Sequence, residues 1–129
     1  DWIIDDRDNI YGKMNYDRQF ILPKEVPTAF FCNCDKAASL IIRKLEEAGY
    51  SVPGDVSVVG FDNFEYDQEA DIGITTYEIN IGEMAKRAVH IMLHKMQNAL
   101  YSAGVFSIQG KIIERESVKK IGKSVPYAK

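Results

Sequence analysis

The feature that most constrains this chain is a strand–helix–strand pattern between Pro27 and Asn63. The run Ala29–Cys32 has the continuous apolar character of a buried strand, and Val56–Phe61 has the same character. Between them an apolar stripe recurs at helical spacing, at Leu40, Ile41, Ile42, Leu45 and Ala48. Two strands joined through a helix of this length lie parallel, so the pattern predicts an α/β fold built on an open parallel-sheet βαβ unit.

Polar residues follow both predicted strands: Asn33, Cys34 and Asp35 after the first, Asp62 and Asn63 after the second. In open α/β sheets small ligands bind at this edge, where carboxylates and amides suit sugar hydroxyls. We expect the strongest ligand contact at Asp62, directly after an apolar strand. Asp35 is first of all the predicted cap of the helix, with ligand contact as a second role, and Asn63 has an alternative role as a residue that shapes the turn.

Length and composition indicate one globular domain, 1–129, with 46% apolar and 27% charged residues. A net charge of −3 gives no electrostatic reason for nucleic-acid binding by this stretch. No apolar run approaches the roughly 18 residues that a membrane span needs. The chain opens at Asp1 on an apolar run without an initiator Met, so we expect part of a longer protein.

Cys32 and Cys34 are separated by one residue, and strand side chains two apart point the same way. This is a poor arrangement for a relaxed disulfide, so we expect two reduced thiols, which favour a cytosolic protein. His90 and His94 lie one helical turn apart, but they lack a third ligand nearby in sequence. We therefore expect no metal.

No catalytic constellation is visible: the sequence has no Gly-rich phosphate loop, no GxSxG motif and no HExxH motif. The acidic pair Asp5-Asp6 is typical of a solvated loop. These patterns argue against an enzyme, and we expect no cofactor. Further predicted elements are a strand at Trp2–Ile4, an irregular helix at Ile10–Leu22, a strand at Ile74–Tyr77, a helix from Gly82 whose methionines fill a core, and a last strand over 108–118.

Four motifs in order carry a family resemblance: PTAFFCNCDKAA, EEAGYSVPGDVSVVGFDN, ITTYEINIGEMAKRAV and IIERESV. Together they resemble the C-terminal half of LacI/GalR-type sugar-responsive transcription repressors. The resemblance implies a periplasmic-binding-protein-like type I fold with two subdomains, of which this chain would be mostly the C-terminal one. Sugar-binding proteins of transport systems share that fold and are the alternative.

The resemblance also implies a small effector, a sugar or phosphosugar, and particular contacts to it. Asp62 matches the effector-contacting Asp of the family, and Cys34 stands where the family commonly has Asn. The loop that lines the effector cleft would contribute Asp8, Asn9 and Tyr11. A helix over 80–98 would cross into the absent N-terminal subdomain.

A homodimer is implied as well, with four candidate residues at its interface: Ala38, Ile42, Leu45 and Phe64. Operator DNA would be bound only through an absent N-terminal helix-turn-helix domain. Such a regulator would be cytoplasmic and would have no membrane partner.

Overall fold

The computed structural model describes residues 21–64 and 71–120, and every structural statement below concerns those residues. The predicted strand Trp2–Ile4 lies outside them, as does nearly all of the predicted helix Ile10–Leu22. No helix in the described ranges combines the length and the apolar character that crossing a bilayer requires.

The predicted βαβ unit is present. Strand β1 spans Ala29–Phe31, helix α1 spans Asp35–Glu47 and strand β2 spans Ser57–Val59. The two strands pair in parallel with Phe30 opposite Val58, which confirms the fold class predicted from the sequence. Gly49 follows the helix with a φ of 87°, a left-handed conformation that glycine adopts without steric cost.

The second half of the chain adds β3 (Thr76–Glu78), α2 (Ile81–Gln97) and β4 (Lys111–Ile113). Strands β3 and β4 pair antiparallel, so the predicted strand over 108–118 is shorter than expected. Isolated parallel bridges, Val59 to Thr75 and Asp62 to Glu78, place β3 beside β2. The spatial order is therefore β1-β2-β3-β4, and the carboxyl ends of the first three strands point to the same edge.

The core lies between α1 and the strands, and all its members are buried: Cys32, Ala38, Ile42, Leu45, Val56, Val58 and Ile74. Burying each of the larger aliphatic side chains contributes about 1.5–3 kcal/mol. Ser117 joins β2 to the segment that enters β3. Its Oγ donates to Val58 O at 2.6 Å and accepts from Thr75 N at 2.8 Å.

This core overturns three of the predicted dimer contacts. Ala38, Ile42 and Leu45 are each 0% exposed and pack under α1 against the strands of the same chain. A partner cannot reach side chains without exposed surface, so these three assignments are wrong. Phe64, at 49% exposed, stays a prediction.

The cap of α1 is Cys34 rather than Asp35. Cys34 has extended backbone angles, and its Sγ accepts from Ala37 N at 3.5 Å. Asp35 is already the first helical residue. Its carboxylate turns towards the sheet, where it lies so close to Gly60 that a Cβ at that glycine would collide with its Oδ1.

Helix α2 presents its apolar stripe to solvent. None of its residues is buried by the described part of the chain, and Met84, Met92 and Met96 are 46%, 62% and 78% exposed. The prediction that these methionines fill a core is therefore wrong for this part of the chain. Asn80 caps the helix, because its Oδ1 accepts from Glu83 N at 3.0 Å.

Candidate functional site

A cleft of about 770 Å³ opens at the strand edge that the βαβ pattern predicted. The turn after β2, the end of β3, the start of α2 and the start of β4 form its walls. Six polar side chains line it: Asp62, Asn63, Glu78, Asn80, Gln109 and Lys111. A concave site with several convergent hydrogen-bonding groups is typical of a small-molecule binding site.

The turn after β2 holds two non-glycine residues at positive φ, Asp62 at 93° and Asn63 at 50°. Asp62 N donates to Tyr77 O at 2.9 Å, and Asp62 Oδ1 accepts from Phe64 N at 3.1 Å. Strained backbone of this kind persists only where surrounding contacts enforce it, and it concentrates at functional sites. Within the described residues the other carboxylate oxygen of Asp62 accepts no hydrogen bond, so it is available to a ligand.

The side chain of Asn63 is engaged within the protein. Its Oδ1 accepts from Arg115 Nη2 at 2.7 Å. The Asn63 side chain also contributes to the lowered pKa of Glu78. The second branch of the guanidinium, Arg115 Nη1, donates to Ile74 O at 2.7 Å. The Asn63 side chain therefore links the turn to Arg115 and also lies in the lining of the cleft.

An ion pair between β3 and β4 forms the wall of the cleft that faces the turn after β2. Lys111 Nζ lies 2.8 Å from Glu78 Oε2, and the two residues face each other in the β3–β4 register. The hydrogen bond from Lys111, supported by its charge, lowers the pKa of Glu78 below its usual value. By formal charge, Lys111 and Glu78 cancel each other, and the Asp62 carboxylate leaves the described polar lining with a negative surplus.

Asp35 lies behind this edge rather than in the cleft lining. Burial raises the pKa of its carboxyl; the Thr76 hydroxyl and the Arg115 charge oppose that shift, and the Asp62 charge adds to it. The buried atoms Asp35 Oδ1 and Thr76 Oγ1 nevertheless have no partner at hydrogen-bond geometry. The carboxylate packs over Gly60, directly after β2.

Other predicted site residues take different positions. Asn33 is exposed, Cys34 is half-buried at the helix cap, and neither lines the cleft. Cys32 is a buried free thiol, and burial raises its pKa to about 12. The candidates Asp8, Asn9 and Tyr11 lie outside the described residues.

Sequence reasoning missed four polar lining residues: Glu78, Asn80, Gln109 and Lys111. Glu78 could have been found, because it follows the predicted strand Ile74–Tyr77 and lies at the same edge. Lys111 could be placed only through the β3–β4 register. His90 and His94 have ring centroids 4.4 Å apart, and the described ranges hold no group of three or more possible metal ligands.

Comparison with known proteins agrees with this architecture. Residues 4–118 match the family model described as the periplasmic binding protein-like domain. The chain belongs to the periplasmic-binding-protein-like domain family. Its resemblance to the effector-binding domain of LacI-type regulators, inferred from the four motifs, is confirmed by individual relatives.

The HTH-type transcriptional repressor PurR of Photobacterium profundum is 31% identical over 120 residues, covering 93% of this chain and 36% of the repressor. A LacI-type transcription regulator from Bifidobacterium animalis subsp. lactis has a TM-score of 0.64 at 31% identity, covering 72% of this chain and 33% of that one. A LacI family regulator from Lactobacillus casei with bound sucrose has a TM-score of 0.59 at 28% identity, covering 71% and 34%. The chain thus spans about a third of the length of these relatives.

Proposed function

We propose that this chain is the ligand-sensing and dimer-forming part of a LacI-type transcription regulator that binds a small sugar or sugar derivative. Binding would alter DNA binding by a helix-turn-helix domain elsewhere in the same protein. The observation that carries the proposal is Asp62, which is held at a lined cleft with one carboxylate oxygen unused by the described residues.

The polar groups of the cleft favour a neutral polyhydroxyl ligand over a phosphorylated one. A carboxylate such as Asp62 accepts hydrogen bonds from hydroxyl groups, and Gln109 and Asn80 offer amides beside it. The cation in the lining, Lys111, is already paired with Glu78. A phosphate would therefore meet the Asp62 charge without an unpaired cation among the described lining residues. The sucrose bound to the Lactobacillus casei relative supports the same ligand class.

The exposed stripe of α2 supports a two-part sensor. Six of its apolar residues are about half exposed or more: Ile81, Met84, Val89, Met92, Leu93 and Met96. Apolar patches of this size mark interaction surfaces. We expect the N-terminal subdomain to cover this stripe, as the family resemblance implies, and to supply the second wall of the cleft.

Effector binding would then shift the equilibrium between an open and a closed arrangement of the two subdomains. A ligand that contacts both walls binds the closed state more tightly, so it increases the population of that state. In the proposed dimer this change would alter the separation of the two DNA-binding heads. Phe64, exposed and directly after the Asp62 turn, is the residue by which a dimer contact would sense the effector.

A panel titration of the full-length gene product that contains this chain tests the proposal. Calorimetry would compare neutral mono- and disaccharides, their phosphorylated forms and nucleobases, each followed by titration of operator DNA with and without ligand. We expect a neutral sugar to bind and to change the affinity for DNA. Binding of a phosphosugar alone or a nucleobase alone would refute the ligand class, and binding without any effect on DNA would refute the regulator.

The transport alternative shares the family, whose model is named for periplasmic binding proteins. The encoded N-terminus separates the two functions: a helix-turn-helix places the protein in the cytoplasm as a regulator, whereas a signal peptide makes it a transport-associated binding protein. The repressor and regulator relatives support the first of these.

A further inference from the structure

We infer that Arg115 is a positioning residue that holds Asp62 in its ligand-binding geometry from a distance of 53 positions along the chain. This inference rests on the proposed function, because Asp62 is the contact that it positions. Arg115 does not line the cleft. It acts through Asn63, and its two guanidinium branches tie the turn after β2 to the segment that enters β3.

The turn requires such a restraint. Asp62 and Asn63 adopt φ values of 93° and 50°, and each such residue costs about 1–3 kcal/mol unless its surroundings enforce the conformation. Two hydrogen bonds hold Asp62 itself: its N–H donates to the Tyr77 carbonyl on β3, and its Oδ1 accepts from Phe64 N within the turn. Asn63 is held through its side chain, whose Oδ1 accepts from Arg115 Nη2 at 2.7 Å.

Arg115 is itself fixed by the sheet. Its backbone N–H donates to Thr75 Oγ1 at 2.9 Å, and Thr75 Oγ1 donates to the Arg115 carbonyl at 3.0 Å. Thr75 is 7% exposed, and Ser117, two residues after Arg115, is fully buried. The backbone of Arg115 is therefore held in place, so the guanidinium can fix the position of the Asn63 side-chain amide.

The geometry of the two donated bonds requires a planar fork. Arg115 Nη1 reaches the Ile74 carbonyl and Nη2 reaches Asn63 Oδ1, both at 2.7 Å. Lysine keeps the positive charge but presents a single compact ammonium group, which cannot reproduce two fixed and divergent bonds. Arg115→Lys therefore separates positioning from electrostatics, because it preserves the charge near Asp35 and Glu78.

Two measurements on the full-length gene product test the inference, with Arg43→Lys on the exposed side of α1 as the matched control. Hydrogen exchange would follow two amides: that of Asp62, which donates to Tyr77 O on β3, and that of Phe64, which donates to Asp62 Oδ1 within the turn. Calorimetry would follow the Kd of the neutral sugar that binds the wild-type protein. Variants are Arg115→Lys, Asn63→Ala and the double substitution.

We expect about tenfold faster exchange at the two turn amides in Arg115→Lys, with the α1 amides unchanged, and a Kd raised about tenfold. The double variant should bind no more weakly than Asn63→Ala alone, because both substitutions break the same link. A purely structural role would instead accelerate exchange in α1 and the turn together.

Unchanged turn exchange in Arg115→Lys would overturn the inference, and so would additive losses in the double variant. If the wild-type protein binds no ligand of the panel, the proposed ligand class fails. The exchange data then still decide whether Arg115 holds the turn, so the two failures are distinguishable.

Discussion

The buried hydroxyl of Ser117 contributes to the free energy of unfolding through two hydrogen bonds, and Ser117→Ala removes both of them. The residue is 0% exposed, and its Oγ bridges Val58 O and Thr75 N at 2.6 and 2.8 Å. Alanine leaves a buried carbonyl and a buried N–H without these partners. Each buried group left unsatisfied costs about 1–3 kcal/mol, so we expect the free energy of unfolding to fall by about 2–6 kcal/mol for the two groups together.

Urea unfolding followed by circular dichroism measures this loss, with Ser107→Ala as the control because Ser107 is exposed and lies outside every helix and strand. We expect a lower midpoint for Ser117→Ala at an unchanged slope, and no shift for the control. A loss below about 0.5 kcal/mol, the scale of an ordinary surface substitution, would refute the claim that Ser117 joins β2 to β3.

Two further predictions concern titratable groups. Because burial raises the pKa of Asp35, the folded state binds its proton more tightly than the unfolded state does, and stability from this group is lost as pH rises from the ordinary value of 3.8 through the raised pKa. Urea unfolding between pH 3.5 and 7 should therefore show Asp35→Asn gaining stability relative to the wild-type protein as pH rises; a pH-independent difference would contradict this. Among the two thiols, Cys34 should react first with iodoacetamide at pH 8, since burial raises the pKa of Cys32 to about 12. Peptide mass spectrometry over time checks the order, and equal rates would contradict the assignment of Cys32 to the core.

The βαβ unit and the position of Asp62 could be predicted because both follow from local patterns. Continuous apolar runs and a 3.6-residue stripe define two strands and a helix, and parallel pairing then sends both carboxyl ends to one edge. Asp62 lies at that edge in the structure, in the lining of the cleft. The order of strands and helix along the chain is therefore enough to predict the position of Asp62.

The remainder of the site depends on contacts between distant segments. Glu78 and Lys111 meet only because β3 and β4 pair in one particular register. Asn63 and Arg115 are separated by 52 positions, and nothing in their local sequence indicates the hydrogen bond between them. Side-chain partners of this kind follow from tertiary packing, which periodicity does not encode.

The wrong assignments also have physical causes. An apolar stripe predicts that one face of a helix is buried, but it does not indicate whether that face packs against the same chain or against a partner. For Ala38, Ile42 and Leu45 it is the same chain, and for α2 no described residue does so. The cap was predicted at Asp35 but is Cys34, because the N-cap residue has non-helical backbone angles and those of Cys34 are extended.

The central claim is that the Asp62 carboxylate contacts a sugar effector, and one calorimetric comparison tests it most directly. Asp62→Asn keeps an oxygen for the Phe64 N–H while removing the charge, so the turn is preserved. Asp71→Asn removes an exposed carboxylate outside the cleft lining and is the matched control. For the full-length gene product we expect Asp62→Asn to raise the Kd of the bound sugar about tenfold or more, with Asp71→Asn unchanged. Equal affinity of the wild-type protein and Asp62→Asn would contradict the account.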